Sequence, residues 1–95
     1  MADIRSQSLD QLFEAVLGLA TVDDCYRFFE DVCTIKEVLA MAQRLRVAEL
    51  LSDGKSYQSV CDQTGASSAT VGRVKRCLDY GCGGYQMILS RQKGE

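Results

Sequence analysis

Apolar residues recur along this chain at spacings of three and four in nearly every segment, the repeat of helices that bury one face, and no proline interrupts them. Leu12, Ala15, Val16 and Leu19 mark the first such face. Ser8, with Gln11 three residues on, has the spacing of a capping box and sets the start of that helix; the stretch from Gly18 to Ala20 closes it. Thr21 and Asp24 repeat the arrangement for a second helix. Its apolar residues are Val22, Cys25, Tyr26, Phe28, Phe29 and Val32, and Asp23 and Asp24 suit the positive end of its dipole. Phe28 and Phe29 are neighbours, so both cannot enter one small core, and one of them is expected to meet a second subunit.

Thr34 with Glu37 gives a third capping signal and opens the longest helix, from Ile35 to about Ser52. Ile35, Val38, Leu39, Met41, Ala42, Leu45, Val47, Ala48, Leu50 and Leu51 spread around most of its circumference. A helix that is apolar on nearly every side must be covered on nearly every side. A chain of 95 residues has too few other helices to do this alone. The expected solution is an intertwined homodimer, in which this helix crosses its symmetry mate or is wrapped by the partner's first two helices. Asp53 and Gly54 end it.

Residues 55–78 then read as two helices crossing at a glycine turn. Tyr57 opens the first, with Val60 facing inward and Cys61 supplying a small residue at the approach. Gly65 accepts the left-handed conformation that a tight turn demands, Ala66 tucks in behind it, and Ser67 is an N-cap for the second helix. Val71, Val74 and Leu78 form that helix's inward stripe, while Ser68, Ala69, Gly72, Arg73 and Arg76 lie on the opposite face. This is the helix-turn-helix pattern, whose second helix enters the DNA major groove by its N-terminal residues. Two other readings share the apolar stripe: a pair of core helices with no ligand, and a protein-interaction module that docks a partner on the same face without DNA. Small residues at the helix start and cations one and two turns later favour a groove, since a protein interface more often carries aromatic anchors there. Asp79 to Gly84 stops the helix with three glycines, and a last helix, about 84–93, packs back on the core through Tyr85, Met87, Ile88 and Leu89, leaving Arg91 and Lys93 as a solvated tail.

Charge sharpens this picture. The net charge of −2 looks wrong for a nucleic-acid binder, yet residues 1–40 carry eight acids and three bases, and residues 41–95 carry five acids and eight bases. The basic part holds the helix-turn-helix, as expected if one end faces phosphate and the other does not. The chain has no histidine, so no histidine base or His-based triad can be built, and no enzyme is expected. Five cysteines without a CxxC pair argue against zinc or any other metal and are read as small buried residues in a reducing compartment. With no secretory leader pattern and no stretch long enough to span a bilayer, the expected location is the cytoplasm. Residues 1–95 are expected to form one domain: dimerisation helices over about 8–53, the helix-turn-helix over about 55–80 and the C-terminal helix.

The run QRLRVAELL (Gln43 to Leu51), the segment from Tyr57 to Gly65, and ASSATVGRVKRCLDYGCGGY (Ala66 to Tyr85) resemble the YerC/YecD branch of the Trp repressor superfamily, over roughly residues 8–90. The resemblance implies a six-helix, all-α, interlocked homodimer that reads a roughly palindromic operator on double-stranded DNA as a transcriptional regulator. Arg73 matches an arginine that flanks the tryptophan corepressor in the Trp repressor, and Arg44 is similar to the second. Val74, however, follows Arg73 where the Trp repressor has a small residue; a branched side chain fills the space of the indole, so no tryptophan corepressor is expected, and the resemblance leaves open a different small-molecule effector or none. Ala69 and Thr70 match the family pattern, whereas Ser68 and Gly72 are smaller than the Trp repressor's residues, which implies a different operator preference. On this reading Ser67 to Arg76 enter the groove. Arg73 or Arg76 can pair with guanine and Ala69 can meet a thymine methyl. Lys55, Gln58, Thr70 and Lys75 are expected on phosphates.

Overall fold

Six helices make up the regular structure of residues 3–94, the part of the chain that the computed structural model describes. They are α1 (Gln7–Leu17), α2 (Val22–Val32), α3 (Ile35–Ser52), α4 (Tyr57–Thr64), α5 (Ser68–Tyr80) and α6 (Gly84–Gln92). The all-α expectation holds. The first cap, however, is Ser6 rather than Ser8: the Ser6 hydroxyl accepts from the Leu9 amide at 3.2 Å. Both serines offer the same group, and starting at the earlier one lets Leu9 join Leu12 and Val16 on one half-buried face. Thr21 caps α2 as expected, its Oγ1 accepting from the Asp24 amide at 3.0 Å, and Asp24 Oδ2 in turn accepts from the Ala20 amide at 3.0 Å.

The chain divides into two compact units, residues up to Ile35 and residues from Lys36 onward. In the first, neither α1 nor α2 buries a single residue. Phe28 and Phe29 meet edge to face, with ring centroids 5.4 Å apart and planes at 89°, and both remain partly exposed. Phe13, Leu17, Val22, Tyr26 and Val32 are each more than half exposed.

The second unit carries a core to which every one of its helices contributes. Val47, Ala48 and Leu50 from α3, Val60 from α4, Ala66 from the turn, Val71, Val74 and Leu78 from α5, and Leu89 from α6 are buried in one cluster. All nine come from the C-terminal part of α3 or beyond it, and Ile35, Leu39 and Met41 on the early turns of α3 stay exposed. α3 closes on Gly54 at a φ of 84°, where the Lys55 amide reaches the Leu50 carbonyl at 3.1 Å and the Gly54 amide reaches that of Leu51 at 3.0 Å. That double closure is the Schellman motif, and it fixes the angle at which α4 leaves α3.

α6 returns to this core with one face only. Leu89 is buried and Tyr85, four residues earlier on the same side, packs against the cluster. Met87 and Ile88, expected to pack inward as well, are 48% and 39% exposed, because they fall on the far side and the flank of the helix. The Gln86 side-chain amide donates to the Leu78 carbonyl at 2.7 Å, which ties α6 to the end of α5. Lys93, expected in a solvated tail, is exposed and comes within 3.8 Å of Asp53 just past α3. The cysteines also differ from expectation: Cys25, Cys77 and Cys82 are exposed and Cys33 and Cys61 are only half-buried, and none of the five forms a disulfide. They sit on helix flanks and in a turn that their own chain leaves uncovered; only Cys61 packs against the core.

Candidate nucleic-acid interface

The turn between α4 and α5 is built from three local devices. Gly65 adopts the left-handed conformation (φ 73°, ψ 5°) and its amide closes α4 on the Cys61 carbonyl at 2.9 Å. The Thr64 hydroxyl donates to the Val60 carbonyl at 2.7 Å and accepts from the Ala66 amide at 3.1 Å, so the buried Ala66 is held on both sides of the bend. Ser67 then caps α5, accepting from the Thr70 amide at 3.2 Å. Across the turn, the Gln43 side chain of α3 donates to the Thr64 carbonyl at 3.2 Å and ties the bend to the long helix.

These constraints fix which way α5 faces. Val71 and Val74 are 0% and 1% exposed, Leu78 is 8% exposed, and Ser68, Ala69, Arg73 and Arg76 lie in solvent on the other side, as expected. Gly72 is half-buried on the edge of that outer face. Two glycines of this motif therefore have opposite needs. A Cβ at Gly65 would be strained by its positive φ, whereas one at Gly72 would meet nothing within 4 Å. Gly65→Ala should cost about 1–2 kcal/mol and Gly72→Ala should gain about 0.5–1 kcal/mol. Thermal melts are expected to shift in opposite directions, and equal shifts would contradict the geometry.

The polar residues differ in how free they are. The side chains of Arg73, Arg76 and Lys55 have no ion-pair or hydrogen-bond partner among the described residues. Lys75 is engaged: its Nζ lies 3.2 Å from Asp79 Oδ1 one turn further on. Gln58 is likewise engaged, donating to Asp62 Oδ1 at 2.9 Å. The Thr70 hydroxyl lies 3.1 Å from that of Ser67, close enough to hydrogen-bond it. Ser56, overlooked in the sequence, caps α4 by accepting from the Ser59 amide at 3.2 Å. The signal for Asp62 and Asp79 was present as i, i+4 spacing to Gln58 and Lys75.

The two arginines expected beside an effector stand on different helices of the same unit. Arg44 of α3 is half-buried and its Nε donates to the Ala40 carbonyl at 3.2 Å; Arg73 of α5 is exposed. Val74, next to Arg73, belongs to the core. The described residues hold no group of three or more His, Cys, Asp or Glu side chains that could bind a metal ion. In the first unit, a shallow recess of about 280 Å³ is lined by Leu19, Asp24, Arg27, Phe28 and Asp31. Its two carboxylates against one guanidinium make it unsuited to phosphate.

Comparison with known proteins places this geometry. The chain is 51% identical over 90 residues to the uncharacterised protein YerC of Bacillus subtilis (strain 168), covering 95% of this chain and 86% of that protein. Its fold superimposes with a TM-score of 0.92 on the crystal structure of a TrpR-like protein from Eubacterium eligens, at 44% identity and covering 95% and 93% of the two chains. A candidate Trp repressor from Staphylococcus aureus gives the same TM-score of 0.92 at 43% identity, covering 97% of this chain and 92% of that one. The sequence model of the Trp repressor protein family matches residues 7–93, spanning all six helices. With the helix-turn-helix in the same six-helix frame, the chain belongs to the Trp repressor family, a family of transcription regulators rather than enzymes.

Proposed function

We propose that this chain is a sequence-specific DNA-binding transcriptional repressor that acts as a homodimer on a roughly palindromic operator. The observation that carries the reading is the outer face of α5. Its small residues stand at the helix start, and the side chains of Arg73 and Arg76 follow without partners among the described residues, on a helix whose other face is locked into the core. Uncommitted cations on a rigid exposed helix are what counterion release and base pairing both require. Ser67, Ser68, Ala69, Thr70, Gly72, Arg73 and Arg76 form the groove-facing element on this reading. Lys55 is the better phosphate contact, because Gln58 and Lys75 already share a donor with Asp62 and Asp79.

Dimerisation is supported by apolar surface that a single chain leaves in water. α1 and α2 bury nothing, and Leu17, Val22, Ile35 and Leu39 are 84%, 73%, 75% and 63% exposed. Exposed apolar surface on this scale marks an interaction site, and a second copy supplies complementary faces by symmetry. Residues of about 8–53 act as the dimerisation part of a single domain, with the helix-turn-helix of about 55–80 attached to it. The working compartment is the cytoplasm.

No tryptophan corepressor is needed on this reading, because Val74 occupies core volume beside Arg73 and an overfilled apolar site costs about 1–3 kcal/mol. Adding tryptophan should leave DNA affinity unchanged in a titration; a tenfold tightening would contradict this. The function itself is tested by incubating the purified chain with random duplex pools at low salt. Selective enrichment of a two-part sequence, lost steeply as salt rises, is the expected result. Retention of no duplex even at low salt would instead favour a face that docks a protein.

A further inference from the structure

We propose that Arg76, rather than Arg73, is the residue that reads a base, and that Gly72 keeps its path to the helix start clear. This rests on the DNA-binding function proposed above. Val71, Val74 and Leu78 define the inward direction of α5. At 3.6 residues per turn, Arg76 and Ala69 fall within about 20° of the opposite pole, whereas Arg73 lies about 50° to one side and Gly72 about 50° to the other. Arg73 therefore shares its flank with Thr70, and a guanidinium beside a hydroxyl is a pairing suited to a phosphate strand. Arg76 shares the pole with Ala69, nearest the floor of a groove.

Arg76 stands seven residues past Ala69, about 10 Å further along the helix axis. Base edges are met mainly by the first turns of a recognition helix, so Arg76 must reach backward to read one. Helical side chains do lean toward the N-terminus and cover the preceding turn. The residue one turn before Arg76 is Gly72. Glycine is among the poorest helix formers, and the free chain offers no steric reason for it, since an added Cβ would meet nothing within 4 Å. What its absence provides is an open track for the Arg76 side chain. Asp79, three residues beyond Arg76, is the nearest carboxylate along the helix and would compete for the guanidinium. Lys75 holds it instead, with Nζ 3.2 Å from Oδ1. Arg76 is thus left without a partner among the described residues, and its planar fork matches the O6 and N7 acceptors of guanine.

The test repeats the duplex selection with Arg76→Ala and Arg73→Ala, after thermal melts establish that each variant folds. Arg76→Ala should lose the preference for one G·C pair in each half-site, discrimination there falling by roughly 5- to 150-fold, while non-specific retention persists. Arg73→Ala should weaken all duplexes alike and keep the preference. Gly72→Leu, placed in the track, should erode the same preference in the wild-type background and add nothing to Arg76→Ala. The assignment is overturned if Arg73→Ala is the variant that erases the preference, or if Gly72→Leu costs as much with Arg76 absent as with it present. A wild-type chain that enriches no sequence overturns the DNA-binding function, and this assignment with it; enrichment followed by loss at the wrong arginine overturns the assignment alone.

Discussion

Leu39→Asp is expected to abolish the dimer. In the single chain Leu39 is 63% exposed, so a carboxylate there sits in water and leaves the core of α3 to α6 untouched. In a dimer that covers α3, the same carboxylate is buried without a partner. Protonating a group with a solution pKa near 4 at pH 7 costs about 4 kcal/mol, once for each copy. The lost apolar contact of leucine adds to that. Sedimentation should give the mass of two chains for the wild type and of one for the variant, or an unfolded variant at low concentration if the lone subunit is unstable. Equal masses and equal melting temperatures for the two proteins would place Leu39 in solvent in the assembled state and remove the main reason for an intertwined dimer.

Leu50→Ala should have the second large effect, of a different kind. Leu50 is 3% exposed and lies in the cluster that joins α3 to the helix-turn-helix. Replacing a buried leucine by alanine typically costs about 2–5 kcal/mol, the sum of lost transfer energy and the cavity left behind. Against a total stability on the order of 5–15 kcal/mol, that is a large share. The melting temperature should fall by on the order of 10 °C or more, with DNA retention lost over the same interval. Because the Leu50 carbonyl still accepts from the Lys55 amide, the closure of α3 should persist and helix content at low temperature should be unchanged. A melting temperature within a degree or two of the wild type would mean that the helix-turn-helix is not anchored through this core.

Much of this was legible in the sequence because its signals are local. Thr21, Ser67, Gly54 and Gly65 each perform the cap or turn that their chemistry and position announce. The stripe of Val71, Val74 and Leu78, with Val60 and Ala66 facing it, was readable from spacing alone and is the core of the second unit. The closing CLDYGCGGY, from Cys77 to Tyr85, narrowed the family in a way that periodicity cannot. Where the reading failed, the deciding contact lay outside the local pattern. Ser6 and Ser8 offer identical hydroxyls, and the gain from placing Leu9 on the apolar face chose between them. Cysteine is small and apolar enough to be buried anywhere, so its exposure depends on what covers it, and Cys25, Cys77 and Cys82 are not covered by their own chain. The commitments of Gln58 and Lys75 to Asp62 and Asp79 were visible as i, i+4 pairs, but a list of candidate phosphate contacts weighs cations without asking which anions already hold them. The faces of α1 and α2 were recognisably amphipathic; what covers them is not encoded within one chain's contacts.

On the proposed function, two copies of the chain present α5 to one face of a duplex at a fixed separation. Hydroxyl-radical footprinting of the selected duplex measures this directly. Two protected patches on the same face, their centres about 34 Å or one helical turn apart, are predicted. A single patch, or uniform protection along the duplex, would contradict it.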